Sequence, residues 1–179
     1  MRHQVMRHTL DRIYLIAGWC AAGCILAIAC LVTAQVSLNL ITRAFGIPAT
    51  IPSYADFAGF LLAAASFLAA PWTMRSGGHI RVSLVTSRLP TTIQRHIELA
   101  VLVIATVLIG YAFYYIVLLV GESWQFGDVS PGIIAVPLWI PQTIMGVGMG
   151  LLLVSLLDAL VTNLLFGKSL IPQADSEER

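Results

Sequence analysis

Four long stretches almost free of charge constrain this chain more than anything else in it. They run from about Ile13 to Gln35, from Tyr54 to Met74, from Ile97 to Val120, and from Pro137 to about Leu160, the last with its end open between Asp158 and Phe166. A bilayer core about 30 Å thick takes roughly 20 helical residues to cross. Lipid offers no partner to a free N–H or C=O, so each stretch is expected to be a helix. Composition matters here only for its surplus. Apolar residues are 58% and charged residues 11% of the chain, against roughly 45–50% and about 25% in a soluble domain. A soluble fold of 179 residues has no interior large enough for that excess. The expected fold class is an all-α integral membrane protein: one membrane domain of four transmembrane helices, followed by a short polar tail over residues 167–179.

The first stretch follows Arg2, Arg7 and Arg12 and ends near Val32-Thr33-Ala34, which has the look of a secretory signal. Its apolar run is too long for a typical signal core, and it is read as an uncleaved first span. Basic residues near span ends set orientation. Arg2, Arg7, Arg12, Arg75, Arg81, Arg88, Arg95 and Lys168 fall on one side, and Arg43 alone falls on the other. Both termini and the central loop are therefore expected in the cytoplasm. Tyr54, Trp72, Trp124 and Trp139 lie at span ends, where amphipathic rings favour the headgroup layer; Trp19 lies inside the first span. The net charge of +1 implies no nucleic-acid partner.

The loops are punctuated by turn residues. Gly46-Ile47-Pro48 and Ile51-Pro52-Ser53 break the first, and Gly127, Ser130-Pro131-Gly132 and Pro137 break the third. The still-apolar Gly132–Val136 segment is expected on the membrane surface or against a partner. In the central loop, Gly77-Gly78 is expected to end the second helix. His79 to Leu89 then places Val82, Val85 and Leu89 on one helical side and Arg81 with Arg88 on another, the pattern of an interfacial amphipathic helix. Small residues recur at four-residue spacing: Ala55, Gly59 and Ala63 in the second span, Gly146 and Gly150 in the fourth. Such ridges let helices approach closely in lipid. Cys20, Cys24 and Cys30, with no histidine near, are read as small apolar residues filling a helix interface rather than as a metal or redox set.

Charges inside spans are functional candidates by default. Asp56 and Glu98 fall in the first turns of their spans, and Glu122 lies just past the third. Asp158 is read as an interfacial acid at the end of the fourth. If that helix continues to Phe166 instead, Asp158 lies deeper and needs a cytoplasmic-side arginine such as Arg75 or Arg95. No span carries a charge near its centre, where an ion-coupled carrier working alone usually keeps one. His3, His8, His79 and His96 all lie outside the spans, which disfavours a transmembrane haem anchor. No nucleophile elbow, P-loop or zinc helix motif occurs. The chain reads as a non-enzymatic accessory membrane subunit, with no cofactor of its own.

Two segments carry a family resemblance. One is Asp56-Phe57-Ala58-Gly59-Phe60-Leu61-Leu62, with Phe67-Leu68-Ala69-Ala70 and Arg75-Ser76-Gly77-Gly78-His79-Ile80-Arg81-Val82. The other is Trp124-Gln125-Phe126-Gly127-Asp128-Val129-Ser130, with Val136-Pro137-Leu138-Trp139 and Gly146. Both are similar to the small permease (Q-type) subunit of tripartite ATP-independent periplasmic (TRAP) transporters, over roughly residues 10 to 165. Gly78-His79-Ile80-Arg81-Val82 and the late Pro137-Leu138-Trp139 are the most specific parts. The chain departs from the family pattern at Ser83, where an acid is common, at Asp56, where Glu is common, and at Met145, where Pro is common.

The resemblance implies an accessory role in the inner membrane of a bacterium or archaeon. A periplasmic substrate-binding protein would deliver an organic acid, a large permease subunit would hold the substrate and sodium sites, and this chain would brace that permease's scaffold. Taken with the small-residue ridges, the basic central loop and the span-end aromatics, it points to a partner interface or structural role for Asp56, Gly59, Ala63, Arg75, His79, Arg81, Trp124, Pro137, Trp139, Gly146 and Gly150. Two other readings stay open: a membrane-anchor subunit of a redox complex, which the absence of histidine within the spans opposes, and a small self-sufficient exporter, whose expected acid in the first span is missing.

Overall fold

The computed structural model describes residues 2–76 and 91–166. Among them are four helices and no strand: α1 (Arg2–Phe45), α2 (Tyr54–Arg75), α3 (Thr91–Phe126) and α4 (Trp139–Phe166). Each is long and apolar enough to cross a membrane. The segment read as an interfacial helix, including His79, Arg81 and Arg88, and the 167–179 tail lie outside the described residues.

Helix α1 runs ten residues past Gln35, where polarity had suggested an end. The chain folds back to satisfy that side chain. Gln35 is 4% exposed; its amide donates to Asn39 Oδ1 and Thr50 Oγ1, both at 3.0 Å, and its carbonyl oxygen accepts from the backbone N–H of Ile51 at 2.8 Å. Two turns further, Thr42 Oγ1 accepts from the Ala49 N–H. The helix stops at Gly46, whose φ of +68° is the left-handed conformation that glycine adopts without strain. At 44 residues, α1 is roughly 66 Å long, about twice the hydrocarbon thickness.

Helix α2 opens with Asp56 in its first turn, where a carboxylate meets the positive end of the helix dipole. Helix α3 starts at Thr91 and ends at Phe126. It is longer than its apolar stretch at both ends, so Glu98 lies in its second turn and Glu122 and Trp124 are inside the helix rather than past it. Apolarity marks the part that crosses lipid, while a helix ends only where capping and turn residues stop it. Here that residue is Gly127, with φ +67°.

The helices pack in the order α1–α2–α4–α3, with α1 and α3 at the edges. Burial follows that order. In the most apolar window of each helix, 28% of α4 is buried but only 11% of α1 and of α3. One small core lies where Met74, Leu102, Leu156 and Ala159 meet. Edge position also corrects the reading of the cysteines: Cys20 and Cys30 are exposed and only Cys24 is partly covered, because α1 has just one close neighbour to fill against.

Candidate functional site

The tightest approach in the bundle is made by a glycine outside the four-residue pattern. A Cβ on Gly148 would stand 2.5 Å from both the carbonyl carbon and the oxygen of Phe67, in the α2 backbone. Backbone cannot swing aside as a side chain can. Phe67 is also the residue four before Pro71, a buried proline inside α2. Proline has no N–H, so the Phe67 carbonyl loses the donor that an unbroken helix would supply. The two helices thus meet where α2 has a loosened carbonyl and α4 has no side chain. Neighbouring helices are what make such prolines tolerable in a membrane.

Gly146 and Gly150, the pair that spacing singled out, face the other way. At about 100° per residue, positions two apart lie on opposite sides of a helix. Gly148 therefore faces α2 while Gly146 and Gly150 face α3. A Cβ at Gly150 would be 3.0 Å from the Phe113 ring, and one at Gly146 would make an ordinary 3.7 Å contact with Ile116. The Gly146-Val147-Gly148-Met149-Gly150 run serves both neighbours of the central helix. In α2, Gly59 looks into open space and Ala63 is half-buried; the alanines buried inside this chain are instead Ala64 and Ala65.

At the end of the bundle where α1 starts and α2 ends, Arg75 holds three helices together. Its Nε donates to Asp11 Oδ1 at 2.8 Å and its Nη1 to Asp158 Oδ2 at 2.7 Å. The guanidinium stands 5.9 Å from the centre of the Tyr14 ring, a side chain fully buried in α1. The expectation that the fourth helix ends near Asp158 does not hold, since α4 continues eight residues beyond it to Phe166. The alternative reading's demand for an arginine is met by Arg75. Arg95 instead reaches the backbone carbonyl of Asn163 at 3.3 Å, tying the start of α3 to the end of α4. Asp11 was missed because it sits among Arg7 and Arg12, where it reads as part of a solvated basic segment.

The opposite end is closed by the two loops. Residues 127–138 form a small hairpin. Ser130 donates its N–H to the Val136 carbonyl, Leu138 donates to the Asp128 carbonyl, each at 2.9 Å, and Val129 bridges Pro137. Above the ends of α3 and α4, Trp124 and Trp139 meet edge to face, with ring centres 4.8 Å apart. The hairpin also reaches the first loop. The Ile134 N–H donates to Ser53 Oγ at 2.9 Å, and any Cβ on Gly132 would collide with the Asp56 carboxylate and stand 2.6 Å from Ser53 Oγ. Asp56, Trp124, Pro137 and Trp139 are thus gathered into one joint, with Gly132 as the member that spacing could not reveal. Ile133, 85% exposed, crowns it.

The sequence-derived candidates therefore divide. Arg75 belongs to a charge cluster at one end. Asp56, Trp124, Pro137 and Trp139 form the joint at the other, and Gly146 and Gly150 lie inside the bundle. Gly59 is on an open face, and His79 and Arg81 are outside the described residues. Among the described residues no three His, Cys, Asp or Glu side chains converge as a metal ion would require. The arrangement is a scaffold with both ends pinned. The family model described as "Tripartite ATP-independent periplasmic transporters, DctQ component" matches residues 28–166. No curated protein sequence matches the chain.

Proposed function

The chain belongs to the DctQ component family of tripartite ATP-independent periplasmic transporters, the small membrane component of such systems, and from that premise we propose that it braces the scaffold of a large permease subunit in a sodium-coupled, binding-protein-dependent transporter for an organic acid. The observation that carries the proposal is the helix order. A row of α1–α2–α4–α3, apolar along its exposed faces, encloses little interior for a substrate, but it makes a wide, stiff plate for a neighbour. The charged groups described in detail, Arg75, Asp11 and Asp158, are committed to one another at one end of that plate. On this reading the substrate and sodium sites belong to the large subunit, and the periplasmic binding protein docks on the side of the Trp124–Pro137 loop.

Co-purification tests this reading. A tagged copy of this chain, expressed with the large permease of its transporter, should retain that permease through detergent extraction. A chain recovered alone under conditions that keep both proteins folded contradicts the proposal.

Orientation is proposed from the basic bias, with both termini, the Arg75 cluster and the central loop in the cytoplasm of a bacterial or archaeal inner membrane. Alkaline phosphatase fused at Asp128 should be active, while fusions at Ser87 and Asp175 should be inactive. Activity at Ser87 contradicts the four-span arrangement.

A further inference from the structure

The two edge helices differ in what they offer at mid-membrane. Along α1 the outward residues at that depth are apolar, among them Ile25 and Leu26. Along α3 they include Tyr111, Tyr114 and Tyr115, exposed by 63%, 60% and 52%. Their depth follows from their neighbours. Tyr111 lies thirteen residues after Glu98 and thirteen before Trp124, about 20 Å along the helix from each. The acid and the indole mark the two faces of the membrane, so the phenols begin near its middle. Tyrosine belongs at membrane interfaces, where its hydroxyl is wet; at mid-depth the hydroxyl needs a protein partner.

Other hydroxyls on exposed or half-exposed helical positions find one in their own helix. Ser37, Ser66, Thr106 and Thr143 each donate to the carbonyl four residues back. A phenol oxygen, at the far end of a rigid ring, has no such recourse. The Tyr111 and Tyr115 rings stand 4.7 Å apart, and Tyr114 packs edge-on against Tyr115 at 5.5 Å. Three phenols carry three donors, and even a bond between two of them would use only one. The rings are thus set as a preformed group whose hydroxyls still have bonds to make.

We infer that the Tyr111–Tyr114–Tyr115 face of α3 is where this chain docks on the large permease subunit, its phenols hydrogen-bonding to polar side chains or freed backbone carbonyls there. The inference rests on the accessory-subunit reading and adds which edge of the plate is used. α3 is the edge helix with a polar demand that lipid cannot meet, and it packs closely only against α4, which leaves this face free. On this reading the α1 edge, which turns Ile25 and Leu26 outward at that depth, faces lipid.

Site-directed photo-crosslinking in membranes containing this chain and its large permease tests the inference. A benzophenone amino acid replacing Tyr114 should give an adduct with the permease, and the same probe replacing Leu26 should give none. The triple variant Tyr111→Phe, Tyr114→Phe, Tyr115→Phe keeps the rings and removes the hydroxyls. It should reduce the permease retained after detergent washing by roughly tenfold, as the loss of three interhelical hydrogen bonds would. Adducts from Leu26 instead of Tyr114 overturn the inference while leaving the accessory role intact. Adducts from Tyr114 confined to lipid or to a second copy of this chain overturn it as well, as does full permease retention by the triple variant. If the wild-type chain does not retain the permease at all, the accessory reading fails and this inference falls with it.

Discussion

Gly148→Leu should separate α2 from α4 and lower the thermal stability of the purified chain more than any other single glycine replacement in the spans. The new side chain would begin 2.5 Å from the Phe67 backbone, and nothing there can rotate away. Overpacking of a well-fitted interior usually costs about 1–3 kcal/mol. Leucine at a helix–helix backbone contact belongs at or above the top of that range, because relief requires one whole helix to move. Gly148→Ala should already be harmful. Gly59→Ala should be nearly neutral in the isolated chain, since its Cβ would meet nothing within 4 Å, and Gly146→Ala should make only an ordinary contact. Thermal unfolding in detergent would rank the four variants. A Gly148→Ala protein as stable as the wild type contradicts the proposed contact.

The second large effect should come from Arg75. Arg75→Leu leaves Asp11 and Asp158 without their shared cation. Removing one partner of a buried ion pair costs about 3–5 kcal/mol. The lower end applies here, because the side chains of Asp158 and Asp11 retain 24% and 45% of their exposure. The expected loss is therefore about 3 kcal/mol. It should shrink when the stranded acid is removed too, so Arg75→Leu combined with Asp158→Asn should cost clearly less than the sum of the two single changes. Asp11→Asn alone should be the mildest of the set, because its carboxylate is the most exposed. Strictly additive losses across the Arg75–Asp158 cycle would mean that the 2.7 Å bridge carries no coupling.

Much of this architecture is legible in the amino-acid order, for a simple reason. Lipid rejects charge and unpaired backbone so strongly that hydropathy alone sets out four helices. What hydropathy cannot do is say which helix touches which. Spacing of small residues identified Gly146 and Gly150 as a ridge, yet a central helix has two neighbours, and the closer one is met by Gly148 on the opposite side. Helix ends were also hidden. Gln35 marks the end of an apolar stretch, yet the helix continues ten residues past it, and Thr50 and Ile51 supply its partners from the loop that folds back. That Asp158 pairs with Arg75 rather than Arg95 could not be read either, because that arginine is 83 positions away in sequence, beyond the reach of any local pattern. Gly132 read only as a turn residue, and its role against Asp56 depends on two loops far apart in the chain meeting. The Tyr111, Tyr114 and Tyr115 cluster was submerged in the most apolar stretch, where hydropathy averages aromatic rings with leucines and does not register hydroxyls.

The central claim is that this chain contributes scaffold and not a transport path of its own. Reconstitution measures that directly. Proteoliposomes can be assembled with this chain, the large permease and the binding protein under an inward sodium gradient, and supplied with the radiolabelled organic acid that the binding protein captures. Uptake should require all four components and should vanish when this chain alone is left out. Full uptake without this chain, or uptake by this chain in the absence of the large permease, would contradict the account.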